Sequence, residues 1–123
     1  MFKYVDFISI PCADQRRALA FYTEKLGLTV FTDQPFSDTQ RWIELKIPGA
    51  QTKLVLFTPD DQKDLIGRSM NCSIVVDDLA GCYAKLREAG VEFAAPPRPA
   101  PWGAFAILVD SEGNKLLIKG DAR

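Results

Sequence analysis

Histidine is absent from all 123 residues. That absence excludes an imidazole general base, a Ser-His-Asp triad and a two-His-one-carboxylate iron site. Cysteine is sparse. Cys12, Cys72 and Cys82 leave one thiol unpaired in any disulfide scheme and form no C-x-x-C pair, so a reduced, cytoplasmic protein is expected. No run approaches the roughly 20 apolar residues of a membrane span. The strand-like start MFKYVDFISIP lacks the apolar segment and small-residue cleavage site of a secretory leader. Neither charge sign dominates: the net charge is -1, and Lys3, Arg16, Arg17, Arg41, Lys85 and Arg87 are scattered. Such a surface attracts neither nucleic acid nor an acidic membrane.

What is present suits a folded domain, with 47% hydrophobic and 25% charged residues. It is also duplicated. Shifted by 63 positions, DQRRALAFYTEKLGLTV (14–30) overlies DDLAGCYAKLREAGVEF (77–93). Each segment opens on an acidic residue able to cap a helix, Asp14 and Asp77. Each shows apolar residues at helical spacing: Ala18, Phe21, Tyr22 and Leu26, then Leu79, Cys82, Tyr83 and Leu86. Each ends in a glycine suited to the C′ position, Gly27 and Gly90.

Strand-like runs surround both helices. Tyr4–Pro11 precedes the first and Leu28–Phe31, Arg41–Ile47 and Lys53–Phe57 follow it. Asn71–Val76 precedes the second, and Val91–Ala94, Phe105–Asp110 and Lys115–Lys119 follow. The order is β-α-β-β-β, twice: module one over 1–57, a polar linker over 58–69, module two over 70–119. Alternation separates two faces on the strands. Ile8, Ile10, Ile43, Leu45, Cys72 and Ile74 form apolar sets that should face the helices. Phe7, Trp42, Glu44, Asn71 and Ser73 belong to mixed sets, whose face is either solvated or lines a cavity.

The motif D-x-x-R-A-x-x-F-Y-x-x-x-L-G-L (Asp14, Arg17, Ala18, Phe21, Tyr22, Leu26, Gly27, Leu28), used in a duplicated β-α-β-β-β chain, resembles the vicinal oxygen chelate superfamily of glyoxalases, bleomycin-resistance proteins and extradiol dioxygenases. Asp110, Ser111, Glu112, Gly113 and Asn114 resemble that family's terminal D-P-D-G-N turn, with Ser for Pro and Glu for Asp. The resemblance implies an α+β fold of two modules, each a curved mixed sheet forming half a barrel around a pocket. It also implies four metal-ligand points, often His, Glu, His and Glu. Here they fall on Phe7, Val55, Asn71 and Leu117. Phe, Val and Leu donate nothing to a divalent ion, and Asn71 offers one neutral oxygen. No metal and no other cofactor is expected.

The expected ligand-contacting residues are therefore Phe7, Trp42, Val55, Phe57, Asn71, Ser73 and Leu117 in one concave space, with Trp102 at its rim. Trp42 and Trp102 read equally as loop anchors or as flat walls for an apolar or aromatic ligand, and Phe36 could extend such a wall. Asn71 and Ser73 could bond a ligand or satisfy backbone groups. Glu44 is the candidate acid or base, although a pairing with Lys46, Arg41 or a lysine of another strand is the more ordinary reading of it. Two functions compete on this reading. One is a metal-independent protein that encloses a partly aromatic small molecule, expected as a homodimer by the family resemblance. The other is a lyase, isomerase or dioxygenase related to glyoxalase I, using non-standard metal ligands or Glu44. A ligand-free structural partner is the third.

Overall fold

A computed structural model of the chain describes residues 1–120. Two aspartates start its two helices. Asp14 Oδ1 accepts from the Arg17 amide at 3.0 Å, and Asp78 Oδ1 accepts from the Gly81 amide at 3.1 Å. Each satisfies an amide that a helix start leaves unpaired. Helices α1 (Gln15–Ala20) and α2 (Leu79–Glu88) follow.

The cap of α2 is Asp78, not Asp77 as the 63-residue shift suggests. The cause is one extra residue in the first copy. α1 runs on into a single π turn, Phe21–Lys25, which is how a helix absorbs an insertion. α2 closes with the Val91 amide on the Leu86 carbonyl. The first copy closes one residue wider, with the Leu28 amide on the Tyr22 carbonyl. Gly27 and Gly90 then turn the chain at φ +78° and +92°, a region glycine enters without a Cβ clash.

The strands are β1 (Phe7–Ser9), β2 (Thr29–Pro35), β3 (Arg41–Lys46), β4 (Lys53–Val55), β5 (Ser69–Val76), β6 (Glu92–Ala100), β7 (Gly103–Val109) and β8 (Lys115–Gly120). They form two four-stranded mixed sheets, ordered β1-β4-β3-β2 and β5-β8-β7-β6. In each sheet the first strand is parallel to its neighbour and the other pairs are antiparallel. The fold is α+β, a β-α-β-β-β arrangement used twice, as the sequence indicates. A short 3-10 turn, Asp60–Leu65, precedes the second copy. The chain divides into two compact units, Met1–Ile66 and the part from Gly67 onward.

Two strands run further than their sequence suggests. β2 continues to Pro35 and β6 to Ala100, through Pro96, Pro97 and Pro99, in stretches that read as loops. Both are edge strands, where a missing N–H costs no ladder bond and a bulge is tolerated. β6 bulges twice, between Phe93 and Ala95 and between Ala95 and Arg98. β1 and β4 are shorter than expected, although the Leu56 amide still reaches the Ile43 carbonyl beyond β4.

Each unit buries one sheet face. Ile10, Ile43, Leu45, Leu54 and Leu56 are buried in the first, together with the helical residues Ala18, Phe21 and Tyr22. In the second, Ala106, Leu108, Leu116 and Ile118 are buried, and α2 packs across β6, β7 and β8. The mixed faces are thus left to other duties.

The turn between β7 and β8 is buried although it is polar. Asp110 Oδ1 accepts the amides of Glu112 and Asn114, both at 2.9 Å, and Asp110 Oδ2 accepts from Asn114 Nδ2 at 2.9 Å. Asn114 Oδ1 in turn accepts the Gly67 amide at 2.8 Å. This motif fastens the second unit rather than facing a ligand.

Candidate functional site

The register shows which side chains share the mixed face of the first unit. Ser9, Val55, Glu44 and Thr32 lie opposite one another across all four strands. Phe7 lies one row away on the same face, beside Lys53 and Lys46. Trp42 and Phe57 lie one row further in the other direction. The aromatic rings meet. Trp42 stands 5.6 Å from Phe7, 5.2 Å from Phe57 and 6.0 Å from Phe36, and Phe36 stands 4.6 Å from Phe57. Edge-on and tilted contacts of this kind suit the ring quadrupoles. Phe7, Trp42 and Phe57 are half-buried and Phe36 is exposed, so the cluster presents ring surface outward. Val55 is fully buried between Ser9 and Glu44 and offers no open surface of its own.

Glu44 belongs to this cluster. Its Oε2 accepts the Trp42 indole N–H at 3.1 Å. The expected alternative, a pairing with Arg41, Lys46 or a lysine of another strand, is not formed among the described residues. Arg41 pairs with Asp33 at 2.6 Å, and Lys46 lies 5.4 Å from the Phe31 ring centroid. Among the described residues Glu44 has no ion pair. A half-buried carboxylate held by one indole can orient that ring and can accept a further hydrogen bond. Lys53, one row away, bonds Asp6 at 2.8 Å. That bond raises the ammonium above its ordinary 10.5, with a smaller contribution from Glu44.

In the second unit Asn71, Ser73 and Leu117 line one cavity of about 380 Å³, together with Cys72 and Ile107. Leu117 lies opposite Ser73 as Val55 lies opposite Ser9, so the two positions are equivalent. Asn71 lies seven residues before its cap Asp78, as Phe7 lies seven before Asp14. β5 bulges between Ser69 and Ser73, and Asn71 takes φ +52° within the bulge. Asparagine tolerates that left-handed region better than other branched side chains, and bulges re-aim the residues they carry. Burial pushes the Cys72 thiol up from its ordinary value, so it stays protonated and is a poor nucleophile.

Trp102 does not line this cavity. It stands at the β6–β7 hairpin, 44% exposed, 5.6 Å from Phe105. Phe105 and Lys119 stand against it and Arg98 stacks on Phe105, and the sequence reading gives a site role to none of the three. The alternation of β7 could have placed Phe105 on the mixed face. Arg98 was hidden because its proline-rich segment reads as a loop.

The larger hollow of the first unit, about 680 Å³, lies elsewhere, beside Cys12, Gln15, Thr39, Gln40 and Thr58. None of the expected site residues lines it. Two of its amide side chains are taken up by the protein: the Gln15 amide bonds the Arg41 amide and carbonyl and the Leu56 carbonyl. Gln40 does the same for Thr58. The aromatic face is the better candidate.

The residues do not fit a divalent metal. Phe7, Val55 and Leu117 carry no donor atom, and Asn71 carries one neutral oxygen. Among the described residues no group of three or more His, Cys, Asp or Glu side chains converges. Three or four such donors are needed.

Comparison with known proteins gives a consistent result. The family model for the Glyoxalase/Bleomycin resistance protein/Dioxygenase superfamily matches residues 4–118. Protein YetH of Bacillus subtilis (strain 168) is 34% identical over 121 residues, which cover 97% of this chain and 99% of YetH. A superfamily member from Sphaerobacter thermophilus DSM 20745 superposes with a TM-score of 0.88 at 31% identity, covering 98% of both chains. TnmS3, an antibiotic binding protein from Streptomyces sp. CB03234, superposes at 0.84 with 31% identity, covering 97% of this chain and 96% of TnmS3.

Proposed function

This chain belongs to the Glyoxalase/Bleomycin resistance protein/Dioxygenase superfamily, and from that premise we propose that it binds a small, partly aromatic molecule without a metal ion. One observation carries the reading. Phe7, Trp42, Phe57 and Phe36 form a continuous, outward-facing aromatic wall, on the face where the family's metal donors would stand. Ring surface of this kind binds flat apolar ligands by area burial and stacking. The antibiotic binding neighbour TnmS3 supports a ligand-holding role for this fold. The proposal assigns ligand contact to the wall in the first unit and, separately, to the Asn71, Ser73 and Leu117 cavity in the second, with Trp102 as a further contact of the second unit. Val55 supports the wall from beneath its surface. No helix among the described residues is long and apolar enough to cross a membrane. A cytoplasmic location, expected from the three cysteines, and a homodimer, as the resemblance implies, belong to the proposal too; light scattering on the purified chain measures the oligomeric state.

Glu44 decides between holding a ligand and transforming one. In the holding reading its carboxylate positions the Trp42 ring, and Glu44→Gln keeps an oxygen to accept the indole N–H. Binding of a neutral aromatic probe, 2-naphthylmethanol, is then expected to stay within about twofold of wild type, a change under about 0.5 kcal/mol. Calorimetric titration reads this. A tenfold loss would show that the charge itself engages the ligand and would favour proton transfer by Glu44.

A further inference from the structure

One row on the mixed face of the second sheet carries two cations that have no acidic partner among the described residues. Arg98 of β6, Phe105 of β7 and Lys119 of β8 are opposite one another in register, so they share one face. The Arg98 guanidinium carbon lies 4.9 Å from the Phe105 ring centroid, and Lys119 Nζ lies 4.8 Å from the Trp102 ring centroid. The face is open: Trp102 is 44% exposed, and Val75, opposite Lys119 on β5, is 58% exposed. Among the described residues neither cation makes an ion pair or a hydrogen bond.

Among the described residues one acidic group of this unit, Asp77, stands near the row, two residues beyond Val75, and makes no ion pair with it; the others lie further away. Asp110 and Glu112 belong to the β7–β8 turn, beyond Val109 and Lys115. That is four residues from the Phe105–Lys119 pair, or about 13 Å along a strand. Glu92 lies opposite Val109 at that same end. Asp78 caps α2, and Glu88 ends it. The equivalent row of the first unit is Gln34, Trp42 and Phe57, which carries no charge. In the first unit this row is therefore neutral and in the second it is cationic.

Stacking on a ring is a weak use of a cation at an exposed site. It also leaves the N–H groups of Arg98 and Lys119 to water, and those groups donate well only to an acceptor. An anion gains charge-assisted hydrogen bonds there, roughly twice as strong as neutral ones. Two cations on a chain of net charge -1 make too small a field for a polyanion such as nucleic acid. A small ligand with a flat ring and one acidic group matches the row: ring surface from Phe105 and Trp102, charge from Arg98 and Lys119.

We propose that Arg98 and Lys119, seated on Phe105 and Trp102, form an anion-recognising ligand site on the second unit, selecting planar aromatic acids such as aryl carboxylates and sulfonates. The inference rests on the small-molecule reading above and adds the ligand class.

Three matched probes test it on the intact chain: 2-naphthoate, 2-naphthylmethanol and 2-naphthylmethylammonium. The two indole N–H resonances are followed by NMR during each titration. At low ionic strength naphthoate binds at least about tenfold more tightly than the alcohol, and the ammonium binds most weakly, in line with one charge-assisted contact. The Trp102 indole shifts with naphthoate. In the Arg98→Gln/Lys119→Gln double variant the preference for naphthoate is lost while binding of the alcohol is kept. Arg98→Gln alone, at an exposed edge position, reduces the preference if the double variant does not fold. Equal affinities for naphthoate and the alcohol in the wild type overturn the inference and leave the small-molecule reading standing. A preference that survives both substitutions also overturns it. Failure of all three probes to bind overturns the inference together with that reading.

Discussion

Replacing Asp110 by Ala is expected to lower the stability of the chain by about 3 kcal/mol, because several buried groups lose their acceptor at once. One Asp110 oxygen holds the amides of Glu112 and Asn114, and the other holds the Asn114 side-chain amide. Asp110 is 6% exposed and Asn114 is fully buried, so water cannot easily replace the carboxylate. Each buried donor left unpaired costs roughly 1–3 kcal/mol. Asn114 also fixes the Gly67 amide, so the disturbance reaches the start of the second unit. Urea unfolding measures the loss, with Ser111→Ala as the control. Ser111 donates only to its neighbour Glu112, and its removal should cost under about 0.5 kcal/mol, as surface changes do. An Asp110→Ala loss below 1 kcal/mol would mean that the turn is not the fastening described above.

The second large effect concerns binding. Trp42→Ala is expected to weaken an aromatic ligand by about 2 kcal/mol or more, roughly 30-fold, as loss of a central aromatic contact commonly does. Trp42 touches Phe7, Phe36 and Phe57, and it donates to Glu44. Its removal breaks the wall at its centre and frees Glu44 as well. Trp42→Phe keeps a ring and loses only the indole donor, so it should retain most of the affinity. Calorimetry on both variants, with circular dichroism confirming the fold, separates a contact from general destabilisation. Equal binding by Trp42→Ala and wild type would place the ligand away from this wall.

Much of this arrangement is legible in the sequence, for physical reasons. Ile43 and Leu45 alternate with Trp42 and Glu44, and a period of two admits only one assignment of faces. The duplication carries that assignment from one copy to the other. Sequence reasoning fails where local chemistry and tertiary position part. Asp77 and Asp78 are both competent caps, and the extra residue held in the π turn of the first helix is why Asp78, not Asp77, corresponds to Asp14. Pro96, Pro97 and Pro99 signal a loop, yet an edge position lets a strand pass through them. That strand carries Arg98, so the cationic row stayed hidden until its register was known. Glu44 illustrates a third limit. Arg41 and Lys46 are near in sequence, but Asp33 and the Phe31 ring hold them, and the carboxylate turns to an indole instead. The residues at the four expected metal points needed no structure to judge, because three of them have no donor atom.

The most direct test of the central claim is a calorimetric titration of chelator-treated protein with 2-naphthoate and 2-naphthylmethanol, repeated after zinc, nickel, iron or manganese is restored. Each ligand is expected to bind saturably with a dissociation constant of its own that is the same with and without metal, and the melting temperature is expected to be unchanged by the chelator. Binding that appears only with metal would contradict the claim. So would a chelator-induced loss of stability near 3 kcal/mol, roughly what a native-state metal contributes at a hundredfold excess over its dissociation constant.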